Sequence, residues 1–369
     1  MKKIFPSVIE NTLIADNIFK LVLEDSFPHD EFKPGKFLHV KCSKGLDPLL
    51  RRPMSICDIS DDERYLTVLY RKEGRGTTLL SEYQAGEKID ILAPLGNNFE
   101  LPAECENGEN STGDLQKQCL TKKVLLIGGG IGVPPLYYLG RKLKAAGHSI
   151  ISILGFNAAK DVFYENEFKA LGEVFITTVD GSYGMKGFVT DALAKIESLN
   201  NAEIVDCESS SDRTAHNRTS SRLRRTNDRS VLQVHEDHED DENAEIVDCE
   251  SSSDRTAHNR TSSRLRRTND RSVLQVHEDH EDDENAEIVD CEPSYDVMYS
   301  CGPKSMLKAL QSKISSDKLA YMSLEERMGC GVGACLACVC NYNEGFERDK
   351  NYSRVCTEGP VYKLHEISL

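Results

Sequence analysis

A perfect internal duplication constrains this chain more than any other feature. Residues 201–242 recur unchanged at 243–284, and Asn285–Glu292 begin a third copy. Each 42-residue unit holds 11 acidic and 6 basic side chains, no aromatic residue and no lysine. Its only large aliphatics are Ile204, Val205, Leu223, Val231, Leu232 and Val234, with neither helical nor alternating period. Such a segment buries too little apolar surface to offset its chain entropy, so disorder is expected over 201–284. The basic middle (Arg218–Arg229) and acidic end (Glu236–Glu242) have the make-up of an interaction tail or a weak metal-binding tract. Perfect identity, however, shows no divergence toward separate roles. The expectation is a duplicated, tolerated insertion. The rest of the chain must therefore fold without it.

Setting the two units aside changes the composition. Each carries −5, so together they hold −10 of the formal −16 and leave −6 on the other 285 residues. That mild acidity excludes non-specific nucleic-acid binding. No apolar run reaches the roughly 18 residues of a membrane span. The start, Met1-Lys2-Lys3-Ile4-Phe5-Pro6, lacks the apolar core of a signal peptide. A cytoplasmic chain is expected, and its 13 cysteines then point to metal or redox chemistry rather than a disulfide framework.

The periodicity predicts a multidomain chain. Over 1–102, short β-rich runs alternate with Pro, Gly and Asp turns: Thr12–Ala15, Ile18–Leu23, Phe37–Lys41, Tyr65–Tyr70 and Lys88–Leu92. This spacing predicts an antiparallel β-barrel. A polar linker follows over 103–121. From 122 to 320 strands and helices alternate, as in an α/β doubly wound parallel sheet. Strands are expected at Val124–Ile127, Ile150–Leu154, Val174–Val179 and Val297–Ser300, with helices over Leu136–Ala146, Tyr164–Leu171, Thr190–Ser198 and Ser305–Ile314. The insertion falls in a helix-to-strand connection, on the side of the sheet away from a ligand cleft. Residues 321–369 form a small cysteine-bearing tail.

Three motifs carry chemistry. Cys330, Cys335 and Cys338, with Cys356 downstream, have the C-x4-C-x2-C…C spacing of plant-type [2Fe–2S] ligation. Four thiolates also suit zinc, although a zinc ribbon pairs two C-x2-C knuckles and only one stands here. Cys340 is a fifth thiol nearby, most simply read as a small buried residue, with Cys356 the least secured ligand. The second motif is Arg51-Arg52-Pro53-Met54-Ser55, followed by Leu69-Tyr70-Arg71 and the turn Gly74-Arg75-Gly76-Thr77-Thr78. A strand bearing Arg-x-x-Ser sets a guanidinium against a diphosphate, and the glycine turn offers amides and hydroxyls, which suits a flavin nucleotide. The third is the glycine run Gly128, Gly129, Gly130 and Gly132 between strand and helix. Asp180-Gly181 and Cys301-Gly302-Pro303 also follow strands, so all three would line one edge of a dinucleotide-binding sheet. Tight turns need glycine whatever binds nearby, so that reading stays open at each.

In this order, the motifs resemble those of the electron-transfer subunits of bacterial dihydroorotate dehydrogenase (NAD⁺) complexes, within the ferredoxin–NADP⁺ reductase-like superfamily. Glu326-Arg327-Met328-Gly329 before Cys330 adds to the likeness. The long linker and the repeat depart from it. The resemblance implies FAD at Arg52–Ser55, Leu69–Arg71 and Gly76-Thr77. It implies a [2Fe–2S] cluster on Cys330, Cys335, Cys338 and Cys356, and NAD⁺ as acceptor at the α/β domain. Cys301 would help position the nicotinamide, or else is a packed small residue in its turn. An FMN-containing catalytic partner is implied, in a heterotetramer of two catalytic and two electron-transfer subunits serving UMP synthesis. A reductase subunit of an NAD(P)H–ferredoxin or sulfhydrogenase-type complex shares the same cofactors. A binding protein with a zinc-stabilised tail is the non-enzymatic alternative.

Overall fold

The computed structural model describes residues 1–102, 121–208, 295–346 and 349–369, and over 199–208 the backbone only. Nearly all of the expected linker, and the repeat from 209 onward, lie outside the described residues. The first residues of the repeat do not: a helix runs without a break over Val189–Glu208. Extending a helix is far easier than nucleating one, so Asn201–Glu208 continue a helix begun by the preceding core-packed turns.

Eight strands precede residue 103: β1 (Lys2–Ile4), β2 (Ser7–Ala15), β3 (Ile18–Glu24), β4 (Phe37–Val40), β5 (Arg52–Ser55), β6 (Asp58–Ile59), β7 (Tyr65–Arg71) and β8 (Ile91–Leu95). They form two four-stranded antiparallel sheets, ordered β1-β8-β4-β5 and β2-β3-β7-β6, rather than one continuous ladder. The chain changes sheet between β5 and β6, and β2 is tied to the segment leading into β8 by an isolated bridge, Ser7 to Lys88, and by Val8 bonds to Gly86 and Glu87. Alternation along the strands fills the space between them with Leu21, Leu38, Val40, Ile59, Leu66 and Val68, all fully buried. Each such side chain contributes roughly 1.5–3 kcal/mol. Helix α1 (Arg75–Leu80) occupies the stretch expected as a glycine turn. Thr77 Oγ1 accepts from the Glu73 and Gly74 backbone N–H groups and closes its start.

The second half contains β9 (Lys123–Gly129), α2 (Pro134–Ala145), β10 (Ser149–Phe156), α3 (Glu165–Lys169), β11 (Glu173–Thr178), β12 (Met185–Lys186), α4 (Val189–Glu208), β13 (Val297–Cys301), α5 (Lys304–Lys313) and β14 (Ala320–Ser323). The cysteine-bearing tail adds β15 (Val339–Asn341), β16 (Tyr352–Arg354) and β17 (Val361–Lys363). The large sheet runs β12-β11-β10-β9-β13-β14-β17, parallel throughout except for β17. Strand β9 is a near-continuous apolar run because both of its faces are covered. Val124 and Leu126 pack with Leu136, Leu139 and Phe168 on one side. Leu125 and Ile127 pack with Leu193, Leu307 and Leu310 on the other.

Polar contacts fix the two halves. Arg141 of α2 donates to both carboxylate oxygens of Asp58 at 2.7 Å and to Asp61 at 2.8 Å. Asn97, past β8, donates to the carbonyls of Glu358 and Val361 and accepts from the Val361 N–H. The tail is thus held by β14 on one side and the first half on the other. Among the described residues no helix is long and apolar enough to cross a membrane.

Candidate functional site

The adjacent arginines of the second motif have different jobs. Arg51 is committed to structure, giving Nη2 to both oxygens of Asp90 at 2.9 Å and Nη1 to the Asp90 carbonyl. Arg52, one residue along on β5, lies over Gly76, where a Cβ would come within 3.1 Å of its Nε. Glycine there lets the guanidinium lie on the start of α1. Beside Arg52 opens a cleft of about 710 Å³, lined by Arg51, Arg52, Pro53, Met54, Ser55, Leu69, Tyr70, Arg71 and Thr77. The tail supplies the opposite wall with Glu325, Glu326, Arg327 and Met328. Gly76 floors Arg52 rather than lining the cleft, and the Tyr70 hydroxyl is spent on Asn11 at 2.9 Å.

A second cavity, of about 480 Å³, lies at the carboxyl ends of β9, β10, β11 and β13. The chain leaves β9 for β10 on one side and resumes at β13 on the other, so the sheet reverses direction of growth here. Such a switch point opens a crevice. Gly129, Gly130 and Pro303 line it together with Phe156, Asn157, Thr177 and Met306. Arg71 and Ile131 line both cavities. They mark where the two join, with Arg71 Nη2 close above Gly130.

Several expected residues sit beside this cavity rather than in it. Gly128, Gly132 and Gly302 are packing glycines: a Cβ on Gly132 would stand 2.4 Å from the Cys301 carbonyl oxygen. Asp180 and Gly181 form an exposed turn just beyond Val179, where Asp180 Oδ1 accepts from the Ser182 N–H and hydroxyl. Those bonds hold its carboxyl below the usual carboxylate range. Cys301 ends β13 with its side chain 1% exposed and lines neither cavity. Burial pushes its thiol well up. What faces the cavity from that turn is Pro303.

The tail folds its thiols into two pairs. Cys330 sits against Cys335, whose Sγ accepts from the Cys330 N–H at 3.4 Å, and Cys338 is the neighbour of Cys356. The loop between them turns inward through positive φ at Gly331 (71°) and Gly333 (76°), a conformation that favours glycine. Its N–H groups then point at sulfur: Val332, Ala334 and Cys335 donate to Cys330 Sγ at 3.3–3.4 Å, and Gly333 donates to Cys356 Sγ at 3.2 Å. Burial opposes ionisation of Cys330, but these donors outweigh it and bring its thiol down to about 6. Arg354 braces the loop, donating to the Gly333 carbonyl and pairing with Glu358.

Among the described residues no three metal-binding side chains converge as a single-ion cage requires. Two thiol pairs with inward amides suit two irons, each taking two thiolates, better than one tetrahedral zinc. Cys340 stands apart, its thiol directed to the Ser353 carbonyl and the Tyr362 hydroxyl. Cys356 is the partner of Cys338.

Sequence reasoning marked Asn157–Asp161 only as a region that does not separate NAD from NADP, and it passed over Glu325, Phe156 and Met306. Glu325 follows a strand that the alternation did not mark, and the others are ordinary residues made significant by lying at strand ends. It also passed over His39, which sits fully buried on β4 with neither ring nitrogen partnered.

The chain is similar to known proteins in sequence and in fold. Residues 325–368 match the iron-sulfur cluster binding domain of dihydroorotate dehydrogenase B. A Geobacillus protein (strain WCH70) named as the electron transfer subunit of dihydroorotate dehydrogenase B (NAD(+)) is 37% identical over 369 residues, covering 100% of both chains. A Bacillus pumilus protein (strain SAFR-032) of the same name is 35% identical, covering 100% of this chain and 99% of its own. In fold, the chain is similar to a solved NADH-dependent reduced ferredoxin–NADP oxidoreductase, with a TM-score of 0.60 and 20% identity over 99% of this chain and 90% of that one. The chain belongs to the family of dihydroorotate dehydrogenase B (NAD(+)) electron transfer subunits.

Proposed function

We propose that this chain carries electrons from an FMN-containing dihydroorotate dehydrogenase subunit to NAD⁺, in the synthesis of UMP. A [2Fe–2S] cluster on Cys330, Cys335, Cys338 and Cys356 and an FAD in the larger cleft serve as its carriers. The observation that carries this reading is the adjacency of three compartments. The thiol loop, the cleft walled by Arg52–Ser55 and Glu325–Met328, and the crevice at Gly129–Ile131 follow one another, the last two meeting at Arg71 and Ile131.

A flavin, when bound, exchanges electrons singly with an iron–sulfur cluster and in pairs with a nicotinamide. The chain's own part is to hold and orient. Arg52 supplies a guanidinium fork for a diphosphate, while Leu69, Tyr70 and Pro53 give the apolar walls that keep water from a ring system. The amides of Val332, Gly333, Ala334 and Cys335 stabilise negative charge on sulfur. Gly129 and Gly130 let a dinucleotide approach the backbone, and Asp180-Gly181 border its far end. Cys301 reaches the nicotinamide end through the backbone of its Cys-Gly-Pro turn. Val332, Leu336 and Val339 expose apolar side chains around the thiol loop, 40%, 49% and 41% accessible. They form the docking face for the catalytic subunit, in a cytoplasmic assembly of two catalytic and two electron-transfer chains.

Purified protein should be coloured, with two irons and one FAD per chain, and should form NADH from dihydroorotate once joined to its partner. Colourless protein after anaerobic handling would defeat this reading. Recovery with a hydrogenase or a large flavoprotein subunit, without orotate formation, would favour the ferredoxin-reductase or sulfhydrogenase-type alternative.

A further inference from the structure

Strand β4 separates the first-half core from the tail, and its alternation assigns each residue a side. Leu38 and Val40 point between the two antiparallel sheets. Phe37 joins the cluster that contains Cys338, Val355 and Cys356, and the His39 ring meets Phe37 edge-on at 6.1 Å. His39 therefore faces the thiol loop. Its contact there is close: a Cβ on Gly331 would stand 2.6 Å from Nδ1 and 2.7 Å from Cε1. Gly331 follows Cys330 directly, so the imidazole lies against the start of the loop.

The ring is fully buried, and neither Nδ1 nor Nε2 has a hydrogen-bond partner. A neutral imidazole carries one donor and one acceptor. Leaving both unmet in the interior is costly, and most buried polar groups are paired. A phenylalanine would fill the same space at no such cost. The missing partner is therefore something the folded chain does not itself provide but holds beside Gly331. A cluster held by the thiol loop would bring sulfur, which accepts hydrogen bonds, to this side of Gly331.

We propose that His39 is a tuning residue for the cluster, its buried ring N–H directed to cluster sulfur from the strand between thiol loop and flavin cleft. Hydrogen bonds to sulfur stabilise the more negative, reduced cluster and raise its potential. This rests on the cluster assignment above, and it adds a donor from outside the cysteine loop to the amides within it.

The test uses the full chain with its cofactors, as wild type, His39→Leu and His39→Gln. Iron and FAD content are measured on each, and the cluster's EPR signal is followed through a redox titration. His39→Leu is expected to shift the one-electron equilibrium about tenfold against reduction, which is about 59 mV to more negative potential. FAD content should not change, and His39→Gln, which keeps an N–H, should return toward wild type. In wild-type protein carrying ¹⁵N in its histidine rings, the reduced signal should show a nitrogen coupling that His39→Gln abolishes. Full iron with an unchanged potential in His39→Leu would overturn the proposal. Absence of the coupling in wild type would also overturn it, and decides the matter if His39→Leu takes up no iron. A wild-type protein without iron would instead remove the cluster assignment itself.

Discussion

Two glycine-rich turns, Gly128–Gly132 and Gly331–Gly333, look alike in sequence and use glycine for different reasons. In the first, the backbone at Gly128, Gly129 and Gly132 is extended or helical, and the neighbours exclude a side chain. Any Cβ would meet Val133 at Gly128, Met306 at Gly129 and the Cys301-Gly302 backbone at Gly132, all within 2.8 Å. In the second, the glycines take φ of 71° and 76°, and a Cβ on Gly333 would meet only the ends of Thr357 and Arg354, at 3.0 Å and beyond. Gly132 is fixed by packing and Gly333 by conformation, while Gly130 takes a φ of 52° within the first turn and Gly331 is packed against His39 within the second. A glycine fixed by packing is part of the core, whereas one fixed by conformation can be perturbed with the core intact.

The largest expected effect tests the first half of that contrast. Gly132→Ala drives a methyl into backbone that cannot swing aside, costing about 3 kcal/mol or more. Thermal melting should show gross destabilisation of the whole chain, with FAD and iron lost together. Survival with only NAD⁺ affinity lowered would mean that the turn is a binding device with room to give. Gly333→Ala should do less, roughly 1–2 kcal/mol, because the strain is local to one residue in the left-handed region. Here melting should move little and FAD should stay bound. Iron content should fall, because the Gly333 N–H that faces Cys356 Sγ is displaced. Equal loss of FAD and iron would erase the distinction between the turns.

This contrast also shows what was legible in the sequence. Order and type of elements followed from the apolar runs: β9, β10, β11, β13, α2 and α3 lie within a few residues of their expected places, whereas the short β12 was not expected and α4 runs ten residues past Ser198. The cysteine spacing pointed to Cys330, Cys335 and Cys338 because ligand spacing is a local property, and it left Cys356, 18 residues on, the least secured. Which glycine packs and which turns was not legible, since Gly132 owes its constraint to Cys301, far along the chain. The arginine pair hid a similar split: both line the cleft, but Asp90 claims the Arg51 guanidinium, whereas Arg52 bonds only backbone carbonyls of Leu50 and Arg51 among the described residues. His39 carried no signal at all. A single histidine in an apolar strand becomes notable only when Gly331, nearly three hundred residues later, is laid against it.

Cys301 offers a smaller test. It touches Gly132 through its carbonyl, while its thiol is buried away from both cavities. If the turn's backbone does the positioning, Cys301→Ala should leave KM for NAD⁺ within about threefold and kcat nearly unchanged. A rise of about tenfold, or a matching fall in kcat, would give the thiol itself a part at the nicotinamide.

The smallest effect is expected from the largest change, deletion of residues 201–284. Helix α4 ends on Asn201–Glu208, and the third partial copy, Asn285–Glu292, repeats those eight residues letter for letter. Removing both full units therefore leaves the sequence of α4 intact. Its last residue is then followed by Pro293 and Ser294, two residues before Tyr295, which is buried ahead of β13. A proline just past a helix end and a short connection into the next strand are ordinary αβ geometry. Because 285–292 repeat 201–208, the product is the same as after removal of 209–292, which joins the carboxyl end of α4 to the amino end of β13, opposite the crevice at Gly129–Ile131. Melting temperature, FAD and iron content, and NADH formation with the partner should all stay close to those of the full chain. A severe drop in NADH formation with cofactors retained would show that the duplicated units reach the cleft or the partner, and that the fold is not functionally complete without them.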